Sequence, residues 1–229
     1  MFPRLSPSTL AVPLLAAFAF AAFAPAGQAQ LTGKYRVTIT NLTRGQILAP
    51  AVVATHKTSA EPLFVPGMPA SAELAQLAED AVNQPLVDKL TADPDVMDVE
   101  TILGAGGPIM PGESASVDIN FLFGYNFVSV ASMLVTTNDG FVAIRGVRGP
   151  NLGTAAHRAL VYDAGSEANT ESCMHIPGPP CGNAEMRVVD GAEGYVHVHA
   201  GVHGIADLVP ANHDWRNPGA MIEITRILD

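Results

Sequence analysis

"KYRVTITNLT", Lys34 to Thr43, decides the fold class. Tyr35, Val37 and Ile39 alternate with Arg36, Thr38 and Thr40. A period of two in β-branched residues marks a strand with one buried face. The alternation returns in "SVDINFLF", residues 116–123, where Val117, Ile119 and Phe121 oppose Asp118 and Asn120. Further short, β-branched runs follow: "NFVSVASMLV" (126–135), "GFVAIRGV" (140–147), "ALVYD" (159–163), "GYVHVHAG" (194–201) and "AMIEITRI" (220–227). Many short strands with turn chemistry between them predict an all-β fold, an antiparallel β-sandwich.

One region has a different period. "SAELAQLAEDAVNQPLVDKL", residues 71–90, places Leu74, Leu77, Ala78, Ala81 and Val82 at helical spacing behind Ser71, a good N-cap. Pro85 is expected to end or kink that helix. One or two short helices therefore cover an edge or opening of the sheet.

The N-terminus reads as a targeting segment. Arg4 precedes the apolar run "LAVPLLAAFAFAAFA", and Gly27 and Ala29 occupy the small-residue positions before a cut. Residues 1–29 are expected to be a secretory signal peptide, and residues 30–229 a single domain. The rival, a membrane anchor, meets a run that is short for a span. About 200 residues suffice for one full core, and no later segment is apolar enough to cross a bilayer. The chain is thus expected to be exported, to the periplasm or the extracellular space.

Charge narrows the partners. With Lys+Arg 12 against Asp+Glu 22 the formal net charge is −10. That balance argues against nucleic acid or anionic lipid as a partner and is compatible with binding cations. The only cysteines, Cys173 and Cys181, flank the Pro-rich loop "CMHIPGPPC". In an oxidising compartment they are expected to form a disulfide contributing on the order of 2–3 kcal/mol. A thiolate metal site with His175 is the alternative.

Two constellations carry candidate chemistry. In the first, Asp139 sits in an Asn-Asp-Gly turn, Asp163 follows the strand "ALVY", and Gly165 lets Glu167 turn back towards it. Should the two strand ends lie side by side, three carboxylates converge as oxygen ligands for a divalent cation. The same residue types also make ordinary turns, and no EF-hand spacing is present. In the second, "YVHVHAGVHG" (195–204) puts His197 and His199 at i and i+2, roughly 6.6 Å apart along a strand. With His203 just beyond, and His175 or Met174 in reach, they form a candidate zinc or copper site. The ordinary alternative buries Val196, Val198 and Val202 and turns the histidines to solvent.

Nucleophilic catalysis has no motif here. There is no G-x-S-x-G elbow, and "GAGGP" (104–108) lacks the Lys of a phosphate loop. Trp215 in "HDWRNP" reads as a core or edge anchor, with sugar stacking as the alternative.

Together, "YRVTITNLT", "SMLVTTNDGFVAIRGV", "YDAGSEANTE" (162–171) and "HDWRNPGAMIEITRI" (213–227) resemble the spondin N-terminal domain family of F-spondin and mindin, found also in secreted bacterial proteins. The resemblance covers most of residues 30–229. It implies a sandwich C2-like in outline with calcium at one end, ligated by Asp139, Asp163 and Glu167. It also implies a non-enzymatic, adhesive or ligand-binding role towards an extracellular protein or glycan. Two departures stand out: animal members carry Asp at the position of Glu167, and they hold more cysteines.

Overall fold

The structure is a computed structural model describing residues 32–228. The segment read as a signal peptide lies outside the described residues. In chain order the elements are β1 (Thr32–Asn41), β2 (Ala51–His56), α1 (Ala72–Asp80), α2 (Gln84–Ala92), β3 (Val96–Ile102), β4 (Ser114–Leu122), β5 (Phe127–Met133), β6 (Gly140–Arg148), β7 (Thr154–Asp163), β8 (His197–Val198), α3 (Pro210–His213) and β9 (Ala220–Ile227).

All pairings are antiparallel, in the order β3-β2-β5-β6-β7-β9-β1-β4, with β8 added on β7. Strand β7 belongs to both halves of the sheet. Its first residues, Thr154 to Ala159, pair with β9, and its last, Leu160 to Asp163, pair with β6. A strand that changes partners midway turns a corner, so one leaf folds over the other. The far edges then meet through side chains. Asp98 Oδ2 accepts from the Asn120 amide at 2.9 Å and from Asn120 Nδ2 at 2.7 Å, and Thr55 Oγ1 donates to the Asn120 carbonyl at 2.6 Å. The sheet is nearly closed, and the all-β expectation with covering helices holds.

The alternation in β1 does what its sequence requires. Tyr35, Val37 and Ile39 are fully buried, with Ile119, Val130, Val142, Val161, Ile222 and Ile224, in the core between the leaves. A second core lies outside β2, β5 and β6, where Ala54, Ala131 and Phe141 meet Leu74 and Leu77 of α1 and Leu86 and Leu90 of α2. Strand β2 is accordingly buried on both faces. Its short apolar run, "AVVATH", lacks alternation for that reason, as do the parts of β5 and β6 beneath the helices.

Ser71 caps α1, its Oγ accepting from the Leu74 amide at 3.3 Å. Pro85 does not end this helix. The chain leaves the helix at Ala81, in the left-handed region (φ 57°), and Pro85 lies in the first turn of α2, where a missing N–H costs nothing. Val82, expected on the buried face, is 43% exposed because that face ended a residue earlier.

The packing of α1 gives a direct test. Leu77→Ala empties a fully buried position between helix and sheet and should cost about 2–5 kcal/mol, read as a lower denaturant midpoint at unchanged m-value.

Candidate metal centre

Register builds the site. Strand β6 begins where the 134–139 turn ends, and Gly140 pairs with Asp163, the last residue of β7. On its other side Asp163 pairs with His197 of β8. The two strand ends do lie side by side, and one of the histidines joins the same row.

Gly165 makes the turn after Asp163 possible. Its φ is +67°, and an added Cβ would lie 2.3 Å from the Tyr195 carbonyl oxygen. Only glycine tolerates both the left-handed backbone and that approach. The Gly165 amide donates to Asp163 Oδ1 at 2.7 Å, and the Gly165 carbonyl accepts from the Gly194 amide at 2.8 Å. The second contact brings the 191–197 segment against Asp163.

Asp163, Glu193 and His197 form a group whose candidate donor atoms all lie within 4.8 Å of one another. Asp163 is fully buried, His197 half-buried and Glu193 exposed. Asn169 holds the two carboxylates together, donating through Nδ2 to Asp163 Oδ2 at 2.5 Å and to Glu193 Oε1 at 3.3 Å. Four-coordinate zinc with bonds near 2.1 Å sets its ligands about 3.4 Å apart, and His197 Nδ1 lies 3.8 Å from Asp163 Oδ1, so small side-chain shifts close the group.

His199 faces the same carboxylate from deeper in the molecule. Its Nε2 lies 3.9 Å from Asp163 Oδ2, is buried, and has no hydrogen-bond partner. Because Nδ1 accepts from the Gly201 amide at 3.0 Å, the neutral ring carries its proton on Nε2. Burial, reinforced by His197 and His203, holds its pKa down at about 4. The ring stands edge-on to Trp215, centroids 4.9 Å apart, and Trp215 is itself 7% exposed. Trp215 is thus an anchor in the core and offers no open platform for a sugar.

The other expected ligands are placed differently. Asp139 is fully buried beside Asp163, with Oδ2 accepting from the Ser166 and Glu167 amides at 2.7 and 3.0 Å. Its Oδ1 is buried without a partner. Burial first, and the negative charge of Asp163 second, push its pKa up to about 7. Glu167, also buried, is raised to about 7 by burial, then by Glu79 and Asp139. Its neighbours are the end of α1, where Arg187 lies 2.8 Å from Glu79 and 3.1 Å from Asp80. Neither Asp139 nor Glu167 belongs to the convergent group with Glu193 and His197. Asp163 too is raised by burial, against the lowering by Asn169, Gly165 and His197.

His203 is exposed, its Nε2 3.4 Å from the Ala200 carbonyl, and His175 pairs with Thr170 Oγ1 at 3.4 Å. Neither joins His197. The alternation expected in 194–201 fails after Val196, because β8 is only two residues long. Val198 is 49% exposed and His199 is 7% exposed, the reverse of the solvent-facing arrangement.

Cys173 and Cys181 are joined by a disulfide, which excludes them as thiolate ligands and belongs to oxidising compartments. Their loop pins the turn that carries Asp139. Thr136 Oγ1 donates to the Pro179 carbonyl at 2.8 Å, the Gly178 amide to the Val135 carbonyl at 2.6 Å, and Ile176 is buried in the main core. Glu171 ties the next loop, its carboxylate accepting from the Gly204 and Ile205 amides at 2.6 and 3.0 Å.

Glu193 was missed from sequence, yet a signal existed. "GAEG" ends three residues before His197, so Glu193 stands at i−4 to the first histidine on a glycine-flanked turn. Among the described residues, no helix is long and apolar enough to cross a membrane. No protein-family model matches the chain, and no curated protein matches it in sequence.

The raised carboxylates have a sign that can be measured. Asp139 and Glu167 keep protons in the folded state that the unfolded chain releases near pH 4, so their contribution is present at low pH and lost as pH rises through about 7. His199 opposes this, losing stability as pH falls from about 6.5 towards 4. Two carboxylates outweigh one imidazole where the windows overlap. With cations chelated, the melting temperature should fall between about pH 5.5 and pH 7.5, and Asp139→Asn should flatten that fall.

Proposed function

We propose that this chain is an exported β-sandwich module that binds a divalent cation through Asp163, Glu193 and His197. The observation that carries this reading is the convergence of two carboxylates and an imidazole within 4.8 Å at the meeting point of β6, β7 and β8. Export is favoured by the apolar, small-residue-terminated leader at 1–29 and by the disulfide.

The donor set discriminates between metals. Calcium takes six to eight oxygens and discriminates against nitrogen, whereas zinc accepts imidazole and carboxylate together in four-coordinate sites. The Asp163, Glu193 and His197 group leaves a fourth position for water or for a partner's acidic group. Zinc is therefore the favoured ion.

A second reading has its own support. Asp139 Oδ1 is buried and unpartnered, and burial raises the pKa of Asp139, Asp163 and Glu167 alike. Such carboxylates suit a hard cation, the calcium implied by resemblance to spondin N-terminal domains. The adhesive role towards an extracellular protein or glycan rests on that resemblance alone.

Calorimetric titration of chelator-treated protein separates the two. Under the first reading zinc binds at one equivalent, and His197→Ala weakens it at least roughly 10-fold while leaving calcium unaffected. Under the second, calcium raises the melting temperature, Asp139→Asn removes the rise, and His197→Ala does not. A protein that binds neither ion above millimolar affinity is not a cation module.

A further inference from the structure

A second cluster lies at the other end of the β5–β6 hairpin, away from the acidic turn. Ser129 Oγ and His56 Nε2 are 2.8 Å apart, and His56 Nδ1 is 2.7 Å from the Lys57 carbonyl oxygen. A carbonyl can only accept, so Nδ1 carries the imidazole proton and Nε2 is the acceptor. The Ser129 hydroxyl must then donate to Nε2. These are the relations of a nucleophile, a base, and a group that sets the base's tautomer.

The backbone around the pair is specialised. Register slips between Val128 and Val130, so Arg145 and Gly146 of β6 both face the single residue Ser129. Gly146 adopts φ +57°, the left-handed glycine of a bulge. Its amide is thereby free of the ladder and donates to Ser129 Oγ at 2.8 Å. A second irregularity falls at Thr55/His56 where β2 meets β3. Bulges of this kind re-aim side chains beside active sites.

His56 and Ser129 are 8% and 3% exposed, and both border a cavity of about 170 Å³. Its apolar wall includes Ala60, Pro62 and Phe127, and Arg145 closes the rim. The guanidinium is held there, 5.4 Å from the Phe64 ring centroid with Nη1 3.3 Å from the Phe64 carbonyl. A liquid water occupies about 30 Å³, so the space is of a size to admit a small acyl group beside Ser129.

We propose that Ser129 and His56 form a nucleophilic dyad that cleaves esters of short-chain carboxylic acids. Ser129 Oγ attacks the ester carbonyl carbon, the O–C bond forms, and the hydroxyl proton passes to His56 Nε2. The Gly146 amide stabilises the developing alkoxide on Ser129, and Arg145 the negative charge on the carbonyl oxygen. When the tetrahedral intermediate collapses, the bond to the leaving alkoxide breaks and that oxygen takes the proton from His56 Nε2. Water, giving a proton to the same imidazole, then adds to the acyl carbonyl; the bond to Ser129 Oγ breaks, that oxygen takes the proton back from His56 Nε2, and the acid leaves. No metal enters, and the dyad shares no residue with the cation site.

The test is covalent trapping of the purified protein with a small alkyl fluorophosphonate. The expected result is one adduct per chain in the intact mass, placed on Ser129 by peptide mapping and unaffected by EDTA. Hydrolysis of p-nitrophenyl acetate should exceed that of the octanoate ester. His56→Gln, checked by its melting temperature, should slow labelling and acetate hydrolysis by roughly 100-fold. The proposal is overturned by a protein that gains no adduct, by an adduct on another residue, or by a folded His56→Gln variant that labels at the original rate. Adduct formation abolished by EDTA would transfer the activity to the cation site.

Discussion

The structure turns on β7, which hydrogen-bonds to β9 over its first half and to β6 over its second. A ten-residue strand cannot serve two leaves unless the leaves meet along it. This one strand therefore fixes how the sheet folds over its core, and with it where the second half ends. That end is Asp163, buried because β6 and β8 flank it on either side. Strand β8 is only two residues long, and its place depends on Gly165 letting the chain turn back beneath Tyr195.

Burying carboxylates without cations beside them is expensive, since desolvation disfavours the charged form. Asp139, Asp163 and Glu167 are all raised for this reason, and Asp139 and Asp163 lie close enough for charge on one to oppose charge on the other. Arg187 answers Glu79 and Asp80, leaving the strand-end pair with amides, Asn169 and imidazoles. The surroundings are stiffened: the Cys173–Cys181 loop grips the 134–139 turn, and Glu171 holds the 203–205 backbone. A rigid enclosure of partly uncompensated negative charge is an arrangement that a divalent ion stabilises.

The β5–β6 hairpin carries different chemistry at its two ends. Its turn presents Asp139 to the acidic site, while its open end presents Ser129 against a bulge formed by Arg145 and Gly146. The helices cover the outer face at Ala131, Phe141 and Ala143, near the turn, whereas β6 is exposed at Arg145 and Gly146, beside Ser129. Ser129 itself is buried on β5, held between His56 and the Gly146 amide.

The sequence by itself determined the β class, since the alternation of Tyr35, Val37 and Ile39 is a local property of a chain with one dry face. It also pointed to the Ser71 cap and the disulfide pair, because these depend on local residue chemistry, and it offered Asp139 and Asp163 as strand-end neighbours that only the β6–β7 register brings together. It did not reveal β2 and β3, because β2 is dry on both faces and shows no alternation. Nor did it show that Pro85 opens α2, which depends on Ala81 taking a left-handed conformation to leave α1. The split of the histidines belongs to tertiary structure alone, and Glu193, although its glycine-flanked place four residues before His197 is legible, meets Asp163 only in the fold. Only the fold pairs His197 with Asp163, buries His199 behind it, and leaves His203 in solvent. Likewise no motif joins His56 to Ser129, 73 positions apart, until a diagonal across β2 and β5 sets them face to face. Contacts across a sheet depend on register, and register is decided by which faces the whole chain can bury together.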